Sequence, residues 1–337
     1  MVDATVEKPS TATSDLADAT QSPRLARFMV GLVAAIGRIP FSLRSALGWS
    51  LGYLVGLFPL RERSIAKLQL QVFLPEANAY RLTPRVFANA GRTLFESLRL
   101  SPILRVRASR ITCEAWPTIT SWLSSDRPIV ALTAHTGNWD LLAGYMIAQG
   151  IPLTTIGKEA RNPTAQKVLS SIRDGYGIET IWRSDRSGVK RLLQCLKERR
   201  TVAALIDQDT RVESAMIPFF GTPAKTPSSL VALGRKANAR FVSAFMFRTG
   251  FMRYTVFVEE LPSSLDDAAL LAEYHRHLEQ LVRRYPDQWV WFHKRWRTQL
   301  DGRTLSTREY LAELRKRLAE KPHNDESPGE NRSTQSY

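Results

Sequence analysis

A histidine followed five residues later by an aspartate, His135 and Asp140 in the stretch AHTGNWD (134–140), is the arrangement in this chain best suited to proton transfer. An imidazole titrates near neutral pH, and a nearby carboxylate can fix its tautomer and stabilise the imidazolium. Gly137 lets the backbone turn tightly between the two. A lone histidine is more often a hydrogen-bonded core or loop residue, so position has to decide. The apolar run PIVALTA (128–134) reads as a buried strand that ends just before His135, and a helix over about 138–149 puts Asp140 in its first turn. Ligands of open α/β sheets bind beyond the carboxyl ends of the strands, which is where this histidine stands.

The elements around it follow the same logic. PLTTI (152–156), IETI (178–181) and TVAALI (201–206) read as strands, separated by helical stretches over 162–177 and 186–199. Strands alternating with helices of this length indicate βαβ units and a mostly parallel sheet flanked by helices. RFVSAFMFR (240–248) and RYTVFVEE (253–260) read as a strand pair turning at Thr249-Gly250, followed by a long helix over about 266–284. Ser306 and Glu309 have the spacing of a capping box opening a last helix through Leu311, Leu314 and Leu318.

The N-terminal third differs. Residues 1–22 are polar and acidic and read as a disordered leader, unlike a secretory signal. Residues 23–63 carry two apolar runs, Phe28–Gly37 and Ala46–Leu60, parted by Arg38 and Pro40. Neither run cleanly reaches the roughly 20 residues of a spanning helix, so two helices lying in or dipping into one membrane face are expected. The alternative is a glycine-rich buried hairpin. Residues 64–104 are amphipathic, with Leu68, Val72, Phe87, Leu94, Phe95 and Leu98 as candidate apolar positions. The expected organisation is leader 1–22, membrane-associating helices 23–63, one catalytic domain 64–320 and a disordered tail 321–337.

Lys and Arg outnumber Asp and Glu by 47 to 32, for a net charge of +15, while Asp3, Glu7, Asp15 and Asp18 crowd the leader. The body of the chain is therefore strongly basic and attracts polyanions: anionic lipid, nucleic acid or an acidic protein. Cys113 and Cys195 lie far apart and make neither a disulfide framework nor a zinc spacing.

With these residues in view, HTGNWD resembles the HxxxxD/E motif of glycerolipid-type acyltransferases, in the version of the lipid A biosynthesis (secondary lauroyl/myristoyl) acyltransferases. Four further stretches resemble that family's blocks in order: ARNP (160–163), LIDQD (205–209), IPFFGTPAKTPSS (217–229) and WVWFHKRW (289–296). The likeness runs from about Arg24 to Arg297. One HxxxxD is a weak signal, whereas five blocks in order are a strong one. Asp140 stands where enterobacterial relatives commonly carry glutamate. The resemblance implies that His135, oriented by Asp140, takes a proton from a lipid hydroxyl as it attacks an acyl thioester. It implies a phosphate contact for Arg161, beside Asn162, the alternative being a surface salt bridge; Asp207 and Asp209 follow an expected strand and either bound the same cleft or serve as a strand-end cap or turn. Gly221 and Thr226 would help shape the acyl or head-group site. No metal or cofactor is implied beyond the donor, acyl-acyl carrier protein or acyl-CoA. The acidic carrier protein, an anionic membrane surface and a glycolipid acceptor are the expected partners, at the cytoplasmic face of the bacterial inner membrane. Phosphatidylinositol mannoside-type acyltransferases share HxGNWD and use acyl-CoA, which leaves a second acceptor class open.

Two rival readings exist beside that of a catalytically idle family member scaffolding an envelope complex, which the intact His135 and Asp140 argue against. GWSLG (48–52) matches the GxSxG nucleophile elbow but sits in a helical, glycine-rich segment instead of a strand-to-helix turn. WVWFHKRWRT could stack bases and contact phosphates as a nucleic-acid binder, but the apolar N-terminal pair has no use in such a protein, so nucleic acid is not an expected partner.

Overall fold

The strand–helix alternation of residues 128–206 is the middle of the fold. The computed structural model describes residues 31–33, 35–100, 103–104, 108–160 and 162–320; the expected leader and tail, and Arg161, lie outside them. In chain order the helices and strands that matter are α1 (Phe41–Leu57), α2 (Arg61–Phe73), α3 (Ala79–Ser97), β1 (Ile111–Thr112), α4 (Trp116–Leu123), β2 (Ile129–Thr133), α5 (Trp139–Ala148), β3 (Leu153–Gly157) and α6 (Pro163–Asp174). They continue as β4 (Glu179–Trp182), α7 (Gly188–Lys197), β5 (Thr201–Leu205), β6 (Ser214–Phe219), β7 (Thr222–Pro227), α8 (Ser229–Lys236), β8 (Arg240–Gly250), β9 (Arg253–Leu261), α9 (Asp267–Arg284) and α10 (Thr307–Ala319).

Seven strands form one sheet in the order β1-β9-β8-β2-β5-β3-β4, in which only β8 and β9 pair antiparallel. Every residue of β2 is buried, the near-continuous apolar pattern of a strand covered on both faces. Val130, Leu132 and Val202 point into a core closed by α7, α8 and α9, while Ile129, Ala131 and Leu153 point into a second core under α4 and α5. The turn of β8–β9 falls at Phe251-Met252, because β8 runs on through Gly250. The Ser306–Glu309 capping box is formed.

Residues 64–104 break into α2 and α3 at Pro75, and α1 packs along α3. Their contact is made by glycine. A Cβ at Gly48 would lie 2.6 Å from the Gly91 carbonyl oxygen, and one at Gly56 would lie 2.7 Å from Pro84 Cα. One face of α1 is therefore glycine-rich and buried, against α3. Its other face leaves Leu43, Leu47, Leu51 and Leu54 exposed, with Phe58 just beyond the helix, at helical spacing. No helix of the described residues is long and apolar enough to cross a membrane.

Candidate active site

β2 and β5 run parallel with Thr133 opposite Leu205, so the residues that follow each strand emerge side by side at the carboxyl edge of the sheet. His135 Nδ1 meets Asp207 Oδ1 at 2.8 Å, and Asp207 Oδ2 accepts the His135 backbone N–H at 3.0 Å and the Trp289 indole N–H at 2.9 Å. Burial alone would raise the Asp207 pKa. The His135 imidazole beside it and these hydrogen bonds outweigh it and bring the pKa down to about 2. An ionised carboxylate on Nδ1 keeps the ring hydrogen there, which leaves Nε2 as the basic nitrogen. The ring is half-buried and meets the edge of Trp139 at 5.0 Å between centroids.

The carboxylate expected to orient His135 was Asp140. The structure gives that place to Asp207. Asp140 is the second residue of α5, and its Oδ1 accepts from Arg173 Nη2 at 3.1 Å. Arg173, in the last turn of α6, also lies over the Trp182 ring at 5.8 Å.

Two cavities meet beside His135. An open pocket of about 370 Å³ is lined by His135, Trp139, Gly157, Leu192, Leu205 and Leu230, with Lys158, Arg173 and Arg183 as its cations and Asp185 as its acid. A narrow apolar cavity of about 80 Å³ lies under α5 on the other face of the sheet, lined by Trp122, Ile129, Ala131, Met146, Ala203 and Val242 among others. Trp139, Arg173 and Leu205 line both, so they form the threshold between them.

Arg161 lies outside the described residues, and the other expected site residues line neither cavity. Asn162 caps α6 by accepting from Ala165 N at 3.0 Å. Asp209, buried, accepts from Thr298 N at 3.0 Å and donates its own N–H to His293 Nε2 at 3.1 Å, which ties down the terminal segment. Gly221, with φ +69, turns the β6–β7 hairpin and lines a separate surface pocket with Pro218 and His275. Thr226 is fully buried and accepts from Arg295 Nη2 at 2.7 Å. Trp289, Trp291 and Trp296 of the aromatic block are also buried, which removes them as base-stacking platforms. Among the described residues no cluster of three or more His, Cys, Asp or Glu is arranged to hold a metal ion.

The turn carrying His135, with Gly137 in it, is anchored by Thr93, Glu96, Arg248 and Gln288, none of which the sequence alone singled out. Gly137, at φ +48, packs so tightly against the backbone of Met246 that a Cβ would have no room, and its N–H donates to Gln288 O at 2.9 Å. Its carbonyl accepts from Arg248 Nη1 at 3.0 Å and from the Thr93 hydroxyl. Asn138 caps α5 through Leu141 N at 2.9 Å and donates to the buried carboxylate of Glu96 at 2.8 Å. The signal was present: Asn89, Thr93 and Glu96 make a polar stripe at helical spacing along the buried side of α3.

A sequence profile of the bacterial lipid A biosynthesis acyltransferase family matches residues 18–298. Lipid A biosynthesis acyltransferase 2 of Shigella flexneri is 24% identical over 277 residues, covering 78% of this chain and 87% of the relative. The lipid A biosynthesis palmitoleoyltransferase of Escherichia coli is 23% identical over 287 residues, 82% of this chain and 92% of the relative. The phosphatidylinositol mannoside acyltransferase of Mycolicibacterium smegmatis is 21% identical over 179 residues, 52% of this chain and 59% of the relative.

Proposed function

The chain belongs to the bacterial lipid A biosynthesis acyltransferase family, and we propose that His135, held by Asp207, is the general base that moves an acyl group from a thioester to a hydroxyl of a phosphorylated lipid A precursor. The 2.8 Å contact between His135 Nδ1 and Asp207 Oδ1 carries this reading, because it leaves Nε2 as the base on the wall of the open pocket. The acceptor hydroxyl gives its proton to Nε2 as its oxygen attacks the thioester carbonyl carbon. The tetrahedral intermediate then expels the thiolate by breaking the C–S bond, and the imidazolium returns the proton to sulfur. The products are ester, free thiol and neutral His135. Asp207 stabilises the imidazolium through both halves.

The two cavities suit the two substrates. The apolar cavity follows β2 and β5, each of five residues and so about 15 Å long, and takes the acyl chain. The cations of the open pocket, Lys158, Arg173 and Arg183, suit phosphates of the acceptor or of the carrier's phosphopantetheine arm. Asp140 acts through Arg173 at the threshold between the cavities. The basic body favours acidic acyl carrier protein as donor; coenzyme A offers the same thioester. The exposed leucine stripe of α1 beside Arg61 suits a helix lying in the cytoplasmic face of the inner membrane.

Mass spectrometry of envelope lipids with and without the gene tests the reading. A lipid A species lighter by one acyl chain in the deletion is expected. An unchanged lipid A together with a lost acyl chain on another glycolipid moves the acceptor to that class.

A further inference from the structure

The described turn between His135 and Asp140 is held from below by one buried carboxylate, and that carboxylate is reached from both sides. Glu96, on α3, is fully buried. Its Oε2 accepts from Arg248 Nη2 at 2.7 Å and from Asn138 Nδ2 at 2.8 Å; its Oε1 accepts from Ser45 Oγ at 2.7 Å and from the Tyr254 hydroxyl at 2.9 Å. Burial works against ionisation of Glu96, but Arg248 and these donors prevail and hold its pKa below the ordinary value. Arg248, on β8, is itself almost wholly buried and gives its other nitrogen to Gly137 O, while Thr93 bridges Arg248 Nη2 and that same carbonyl.

We propose that Asn138, with the Glu96–Arg248 pair beneath it, is a positioning residue that sets where the His135 imidazole stands relative to the open pocket. This rests on the functional reading above. An ion pair taken wholly out of water costs stability compared with an apolar pair of equal volume. Here it is spent on two atoms of one turn, the Gly137 carbonyl and the Asn138 amide, on either side of a peptide bond. Both lie within three residues of His135, and His135 and Trp139 flank the segment they fix. A turn with its carbonyl and its next side chain clamped by a charged pair can neither rotate nor slide, so the ring it carries is aimed before substrate arrives. Misplacement of a reacting group by about 1 Å costs on the order of 10²-fold in rate.

The carboxylate's two sides supply the test. Asn138→Ser keeps a short side-chain oxygen for Leu141 N, so α5 stays capped, but it replaces the amide that donates to Glu96 with a hydroxyl one bond shorter, which draws the donor away from that carboxylate. Ser45→Ala removes a donor to the same carboxylate from α1 and leaves the turn untouched. Each variant thus weakens or removes one donor to the same buried carboxylate, while only one of them frees the turn. Transfer from a labelled dodecanoyl thioester of coenzyme A to a phosphorylated lipid A precursor in mixed micelles is measured with thermal melts. Asn138→Ser should lower kcat roughly tenfold to a hundredfold with KM within about twofold, and Ser45→Ala should leave kcat unchanged at a similar melting temperature. Thr93→Val, nearly isosteric, should lower kcat by a smaller factor, since it deletes one of two donors to Gly137 O. Equal kcat in Asn138→Ser and Ser45→Ala, or full kcat in Thr93→Val should Asn138→Ser not fold, overturns the proposal. His135→Ala separates the two readings. Full turnover there sinks the functional assignment itself, whereas an inactive His135→Ala beside a fully active Asn138→Ser sinks only the positioning role.

Discussion

Asp207 reaches His135 because each stands two residues beyond a paired position: Thr133 of β2 is in parallel register with Leu205 of β5, and the two side chains close to 2.8 Å. The sheet supplies the pairing, and the local helix does not. His135→Ala should therefore lower acyl transfer by about 10²–10⁴-fold, the usual worth of a general base. Asp207→Asn should be impaired to a similar degree, because an amide cannot accept from the ring, the His135 backbone and Trp289 together. The double variant should be little worse than His135→Ala, since the two act as one unit. Additive losses in transfer assays would mean that they act separately.

Asp140→Asn should behave differently. The Asp140–Arg173 pair is largely shielded from water, and breaking it leaves a guanidinium poorly compensated, at a cost of up to about 3 kcal/mol. A lower melting temperature and a raised KM for the acyl donor are expected, with the pH dependence of kcat unaltered. A shift of that pH profile in Asp140→Asn, and none in Asp207→Asn, would restore Asp140 as the residue that orients the base.

The apolar cavity makes chain length testable. Ala203, on β5, lines its wall. Ala203→Phe should fill it and move the preference towards shorter acyl thioesters, at a stability cost of about 1–3 kcal/mol from overpacking. Rates over a series of acyl thioesters from eight to sixteen carbons, roughly the reach of a five-residue strand, report the shift. An unchanged chain preference would place the acyl group elsewhere.

Membrane binding should depend on the exposed face of α1 alone. Leu47, Leu51 and Leu54 are accessible and contribute little to the fold. Replacing all three with glutamate should leave the melting temperature close to native and abolish flotation with vesicles containing anionic lipid. Gly52→Leu, on the opposite face, should instead disrupt packing on α3, where the Phe87 backbone leaves no space. Undiminished flotation of the triple variant would reject α1 as the anchor.

Acid should destabilise the protein before its carboxylates titrate. Burial holds His275 and His293 neutral, with pKa values pushed down from 6.5 to about 3 and about 4. Between pH 6.5 and those values the unfolded chain binds more protons than the folded one, so stability falls as pH falls, by up to roughly 3 kcal/mol per pH unit for the two together. Asp207 works in a lower window, its contribution lost only as pH drops from about 4 through about 2. Melts at pH 7.5, 6.5, 5.5 and 5.0 should decline steadily below 6.5; a flat melting temperature over that range contradicts the burial of these two rings.

Much of the sheet was legible because β2, β3, β4 and β5 are short apolar runs punctuated by helices of regular period, and each observed strand lies within a residue or two of its run. The β6–β7 hairpin escaped notice because its strands, SAMIPF and TPAKTP, carry prolines that argue against strand, tolerated here in a two-stranded ribbon. The family blocks brought Asp207 into view but not its role. Proximity in sequence pointed to Asp140, and the strand register that promotes Asp207 is a long-range property no local spacing reveals. Asp209, Gly221 and Thr226 drew attention for the same reason, as members of blocks, and turn out to hold the terminal segment and a hairpin. The Arg173 and Arg248 contacts had no local signal, since each arginine meets its acid across the fold.

Trp289 closes the circle on Asp207, and Gln288 bonds both Gly137 and strand β8. Both residues are made long after His135 during synthesis. A chain that ends after β9 thus carries every strand of the seven-stranded sheet and still lacks the indole that bonds the Asp207 carboxylate. Chains cut short before residue 288 would keep both partners of the His135–Asp207 contact yet lose the bonds from Gln288 and Trp289, so the support of that contact is completed only by the far end of the fold.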